Sequence, residues 1–154
     1  MSAVESRLAE LGLTVPDVVP PVAAYVPAVR SGNHVWTSGQ LPMRDGAMPA
    51  TGKVGVDVTP EQAQELAAQC ALNAIAAVRS IVPDLDSVVR VVKVVGFVAS
   101  APDFTGQPAV VNGASHLLGH AFGDAGVHAR SAVGVVSLPL DAPVEVEIVV
   151  EVAD

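Results

Sequence analysis

A single cysteine, Cys70, stands in a sequence of 154 residues, so no intramolecular disulfide can form and nothing marks the chain for an oxidising compartment. Basic residues are scarce as well. Eight Lys and Arg face sixteen Asp and Glu, a net charge of -8, and without a basic stripe the surface has little to attract phosphate backbones or anionic lipid. Nucleic acid is therefore disfavoured as a partner. Aromatic side chains make up 3% of the residues, which leaves the core to Ala and Val and favours close packing of sheet against helix. Long apolar runs are missing, and the opening MSAVESRLAELGL has no basic stretch leading into an apolar one, so membrane spanning and secretion are disfavoured. A cytoplasmic location is expected.

What is present is 51% hydrophobic content, enough to build one core over residues 1–154 and too little for two ordinary ones. Ser2 and Glu5 have capping-box spacing, and Val4, Leu8 and Leu11 recur at helical intervals until Gly12, which predicts a short N-terminal helix. The proline-rich segment 14–21 predicts an extended connector. Residues 1–21 thus precede a core at 22–152. Within it, 24–30 and 34–39 read as a hairpin around Ser31-Gly32-Asn33, followed by a turn-rich stretch through Asp45-Gly46 and Gly52. Thr59-Pro60-Glu61-Gln62 is a strong helix start, and an apolar stripe from Ala63 to Ile81 runs on to Pro83. The valine-rich 88–99 reads as a strand in the middle of the sheet, covered on both faces. Gln107 to Phe122 reads as a second long helix, and 130–138 and 143–152 as the last two strands, the final one alternating Val and Glu. The fold class is α+β, a mixed sheet with two long helices on one face.

Few residues invite chemistry. Arg130 opens an apolar strand, where a guanidinium needs a partner or water. It serves either as a strand-end charge or as a fork for a ligand carboxylate. Glu145 and Glu147 on the last strand read by themselves as solvated surface groups. His116 and His120 share a helical face, but Leu117 replaces the glutamate of the zinc-protease pattern and no third ligand is evident, so no metal is expected. Cys70 lies in the apolar stripe and reads as a small buried hydrophobe.

The segments YVPAVRSGNHVWTSGQLP, QPAVVNGASHLLGHAFG, HARSAVGVVSLP and PVEVEIVVEV, in that order, resemble the successive blocks of the RidA (YjgF-like) reactive intermediate deaminase family over residues 22–152. The leading helix and the longer first loop resemble one branch of that family. The resemblance implies a chorismate-mutase-like fold, a homotrimer with a central barrel of strands, and clefts between neighbouring subunits. It implies that Arg130 holds the carboxylate of an imine or enamine acid and that Glu145 positions the hydrolytic water. Tyr25, Ser38, Gly39, Asn112 and Ala132 then line the substrate pocket. Two positions depart from the family pattern. Ala132 stands where many deaminating members have cysteine, and His128 replaces the common proline.

The activity so implied is hydrolysis of 2-imino or enamine acids to 2-keto acids and ammonia, with no cofactor. The alternative is a non-catalytic trimer that binds or senses a small carboxylate. Either way the expected partners are a small carboxylate-bearing metabolite and two further copies of the chain.

Overall fold

A computed structural model of the chain describes residues 1–21 and 23–154. The elements are α1 (Ala3–Glu10), β1 (Ala28–Ser31), β2 (His34–Thr37), α2 (Pro60–Ile81), β3 (Val88–Ala99), α3 (Gln107–Phe122), β4 (Ala129–Val135) and β5 (Val144–Val152). The strands form one sheet in the order β1-β2-β5-β3-β4. Among neighbouring strands only β3 and β4 run parallel, and α3 supplies the crossover that a parallel pair needs.

Helix ends follow their local signals. Ser2 and Glu5 close a reciprocal capping box on α1, and the Asp86 carboxylate adds acceptors for the Ala3 and Val4 N–H groups at 2.8 and 3.2 Å. The Thr59 hydroxyl accepts from the Gln62 N–H at 3.1 Å, with Pro60 opening α2. Arg79, near the end of α2, ties down the connector. It pairs with Glu5 at 3.2 Å and donates to the Val15 and Pro16 carbonyls at 3.2 and 3.0 Å.

The core lies between the sheet and the two long helices. Val144, Val146, Ile148, Val150 and Val152 of β5 are all buried there, against Ala67, Cys70, Ala71 and Ala74 of α2 and Val110 and Val111 of α3. The small residues allow α2 and α3 to approach closely. A Cβ on Gly113 would overlap the Gln64 backbone carbonyl.

Two expectations about the sheet are corrected. The middle strand is β5, not the valine-rich β3, which is fourth in the order. Position in a sheet is decided by long-range pairing, and an apolar run marks an interior strand without ranking the interior places. Coverage of β3 on both faces also does not hold within this chain. Val91, Val94 and Val98 are fully buried, whereas Val89 is exposed and Val92, Val95 and Phe97 are half-buried, because both helices pack on the same face. The first two strands are shorter than their apolar patterns, beginning only after Pro27.

Candidate functional site

Register decides which side chains share a face. Along β3, Val94 and Gly96 pair with Arg130 and Ala132 of β4 and with Ile148 and Val146 of β5. Val146 and Ile148 are buried beneath the helices, so Arg130 and Ala132 lie on the helix-covered face. The next residue of β3, Phe97, pairs with Val133 and with Glu145. Glu145 therefore points from the opposite, open face.

On the helix side, Arg130 is fixed by α3. Its Nη1 donates to Asn112 Oδ1 at 2.8 Å and to Ser115 Oγ at 3.2 Å, and its Nη2 donates to the Pro108 carbonyl at 3.2 Å. Every one of these acceptors is neutral. No carboxylate lies within 4.0 Å of Arg130 among the described residues, so the guanidinium is oriented while its charge is left uncompensated. Ser115 also bonds His128 Nε2 at 2.8 Å. Neither Ser115 nor His128 was expected at a site, although Ser115 lies one helical turn beyond Asn112 on the same face of α3.

Glu145, Tyr25 and Gly39 line a cavity of about 930 Å³. The connector from Gly12 to Pro21 walls one side, residues 39–46 another, and Gln69, Leu72 and Asn73 of α2 a third. A Cβ at Gly39 would overlap the Glu145 carboxylate, so only glycine lets that carboxylate lie against the 38–40 backbone. Partial burial raises the Glu145 pKa above its ordinary value, and the neighbouring Glu147 charge raises it further. Burial alone raises Glu147. Neither glutamate is the freely solvated strand residue that its spacing suggested. Ser38 turns away from the cavity and donates to the Val26 carbonyl at 2.6 Å.

Thus the expected site residues fall into two groups. Arg130, Asn112 and Ala132 stand together at β4 and α3, and Tyr25, Gly39 and Glu145 stand together at the cavity. A single chain does not unite them. Elsewhere, the His120 ring reaches the Arg7 carbonyl at 2.8 Å and Glu10 at 3.3 Å, while His116 is exposed. Cys70 is fully buried, and burial pushes its thiol pKa well up, which makes it inert.

The family model described as endoribonuclease L-PSP matches residues 15–152. The chain belongs to the endoribonuclease L-PSP family. This is the RidA (YjgF-like) family that the sequence blocks resemble. Among its curated members, protein TCP17 of Trypanosoma cruzi is 44% identical over 149 residues, covering 96% of this chain and 93% of TCP17. Among solved structures, the Agrobacterium tumefaciens protein Atu1372, described as of unknown function, superposes with a TM-score of 0.93 at 47% identity, covering 98% of this chain and 93% of that one. The E. coli YjgF gene product superposes with a TM-score of 0.60 at 28% identity, covering 88% of this chain and 93% of its own. As in those relatives, the α+β fold of this family member carries its helices on one face of a mixed sheet.

Proposed function

We propose that the protein hydrolyses 2-imino or enamine acids to 2-keto acids and ammonia, in clefts between the subunits of a cytoplasmic homotrimer. The observation that carries this reading is the state of Arg130, a guanidinium oriented by Asn112, Ser115 and Pro108 and paired with no carboxylate among the described residues. A fork held in this way is suited to a substrate carboxylate. Glu145 is the complementary group. Partial burial favours its neutral form, which moves it toward the range where a carboxyl can take and return a proton.

In the reaction, Arg130 binds the carboxylate and presents the C=N carbon. Glu145 accepts a proton from water as the C–O bond forms, and then returns that proton to the nitrogen. Glu145 next takes the proton of the new hydroxyl and delivers it to the nitrogen as well, so that the C–N bond breaks, ammonia leaves and the carbonyl remains. Imines hydrolyse in water unaided, so positioning and general-base help suffice. Tyr25 and Gly39 wall the cavity beside Glu145.

The trimer is supported by the open face of the sheet, where Trp36, Val29 and Val133 are exposed. It is supported also by the separation of Arg130 and Glu145 onto opposite faces, which a neighbouring subunit would resolve. Ala132, in place of the family's cysteine, favours a second reading in which the same cleft binds a carboxylate without turning it over. RNA cleavage, which the family's description names, finds little support in a net charge of -8.

The test is an assay that generates 2-iminopropionate in situ, with its free decay subtracted. Accelerated keto-acid release supports the deaminase. Binding of keto acids without acceleration leaves the carrier, and salt-sensitive RNA binding with cleavage would replace both.

A further inference from the structure

Asn73 on α2 is only 1% exposed, and its side-chain nitrogen donates to the Leu41 and Met43 carbonyls at 3.0 and 2.9 Å. Carbonyls only accept, so the amide has one possible orientation, with Oδ1 turned toward Gln69 one helical turn earlier. Gln69 Nε2 donates to it at 3.1 Å. That leaves Oε1 of the nearly buried Gln69 needing a donor, and Arg44 Nε supplies it at 3.1 Å. The polarity of the chain is thus forced from the buried end outward, and it ends on a cation.

A guanidinium held through Nε keeps both Nη groups for a ligand, and that edge matches a carboxylate bidentately. Among the described residues, neither Nη group of Arg44 makes a hydrogen bond, and no carboxylate lies within 4.0 Å. Arg44 lines the same cavity as Glu145. Asp17 and Asp45 line it too; like Arg44 they are exposed, and neither carboxylate comes within 4.0 Å of the guanidinium. The cavity, about 930 Å³, is at the upper end of the roughly 300–1,000 Å³ common for small-molecule sites, far more than a three-carbon acid fills.

We infer that Arg44 anchors a second acidic group on the ligand, so that the protein prefers dicarboxylic 2-imino and 2-keto acids to their singly charged counterparts. This assignment rests on the reading of Arg130 and Glu145 given above and adds the substrate class. The relay through Gln69 and Asn73 sets where that second group lies. Gln69→Leu, which keeps the Arg44 charge but frees its Nε, lowers the preference part-way.

The test compares 2-oxoglutarate with its 5-methyl ester, in which a neutral ester replaces the distal carboxylate at similar size, by calorimetry on the wild type, Arg44→Gln and Arg130→Ala. The expected result is a preference of about tenfold or more for 2-oxoglutarate in the wild type, falling to about one in Arg44→Gln. Equal affinities in the wild type, or a preference that survives Arg44→Gln, overturn the Arg44 assignment. If both compounds bind equally and both are lost in Arg130→Ala, the carboxylate site stands and only the second anchor fails. If neither compound binds the wild type, both readings fall together. The wild-type comparison is decisive even where a variant does not fold.

Discussion

The Ser115 hydroxyl donates to His128 Nε2, and the direction of that hydrogen bond is fixed by a third group. His128 Nδ1 lies 2.6 Å from the Gly126 carbonyl, and Ser115 Oγ lies 2.8 Å from Nε2. The carbonyl accepts only, so Nδ1 carries the hydrogen and Nε2 of the neutral ring is an acceptor. With its own hydrogen committed to His128, Ser115 turns a lone pair to Arg130 Nη1 at 3.2 Å. Ser115 and His128 are therefore positioning residues for the arginine.

The consequence is measurable. Ser115→Ala removes one charge-assisted bond and should weaken 2-keto-acid binding by about 1 kcal/mol, roughly fivefold. The same substitution made in Arg130→Ala should have almost no further effect, since it acts through the guanidinium. Additive losses in calorimetric titrations would mean that Ser115 contacts the ligand itself.

Arg130→Ala removes the fork outright and should cost about 2–5 kcal/mol in binding or catalysis. Arg130→Lys should also be poor, because an ammonium cannot span Asn112 Oδ1 and a carboxylate in one plane. Both variants should keep the wild-type melting temperature, as Arg130 is only half-buried. Unchanged keto-acid affinity would make it a plain strand-end charge.

Glu145 and Glu147 both have pKa values raised above the ordinary 4.5, chiefly by burial. A carboxyl with a raised folded-state pKa binds its proton more tightly in the folded chain. In ionised form these groups therefore cost stability at neutral pH, and that stability returns as pH falls through their folded pKa values and is fully regained below about 4.5. Activity should run the other way, since a proton acceptor must be ionised. The acid limb of kcat/KM should have its midpoint above 4.5, and Glu145→Gln should melt higher than wild type at pH 7 while losing turnover and keeping keto-acid binding. Denaturation across pH 4–8 and a pH–rate profile check both. A limb at or below 4.5 would remove Glu145 as the base.

Much of the architecture was legible because its signals are local. Thr59-Pro60 and the stripe behind it place α2, and α3 begins at Gln107 and ends before Gly123, as its spacing indicates. The place of β5 was not legible. Its alternating glutamates looked like an exposed strand, whereas β2 and β3 flank it and the protein half-buries Glu145. At the site, Arg130 stood out as a lone charge on an apolar strand. The relay through Arg44, Gln69 and Asn73 did not, because tertiary packing alone joins those positions and each reads in sequence as ordinary surface or helix chemistry.

Two helix glycines separate packing from propensity. A Cβ at Gly113 would meet the Gln64 backbone carbonyl, whereas one at Gly119 meets nothing within 4 Å. Alanine is the better helix former by about 1 kcal/mol, so Gly119→Ala should stabilise by up to that amount. At Gly113 the overlap is with backbone that cannot move without separating α2 from α3. Gly113→Ala should therefore destabilise by about 1–3 kcal/mol in denaturant unfolding. The same sign of effect at both positions would contradict the close α2–α3 approach.

The separation of Arg130 and Glu145 onto opposite faces of one sheet makes the strongest statement about assembly. If each working cleft takes Arg130 from one subunit and Glu145 from its neighbour, neither Arg130→Ala nor Glu145→Gln trimers hold an intact site, yet mixtures of them do. In subunits unfolded together and refolded in equal amounts, an intact cleft needs Arg130 on one side, with probability one half, and Glu145 on the other, again one half. About a quarter of the clefts, and so about a quarter of wild-type activity, should return. Light scattering on the wild type and on the mixture should give about three times the 15.6 kDa chain mass. Sites built within single subunits would leave the mixture as inactive as its parents. A monodisperse monomer would leave Arg130 and Glu145 without a common ligand.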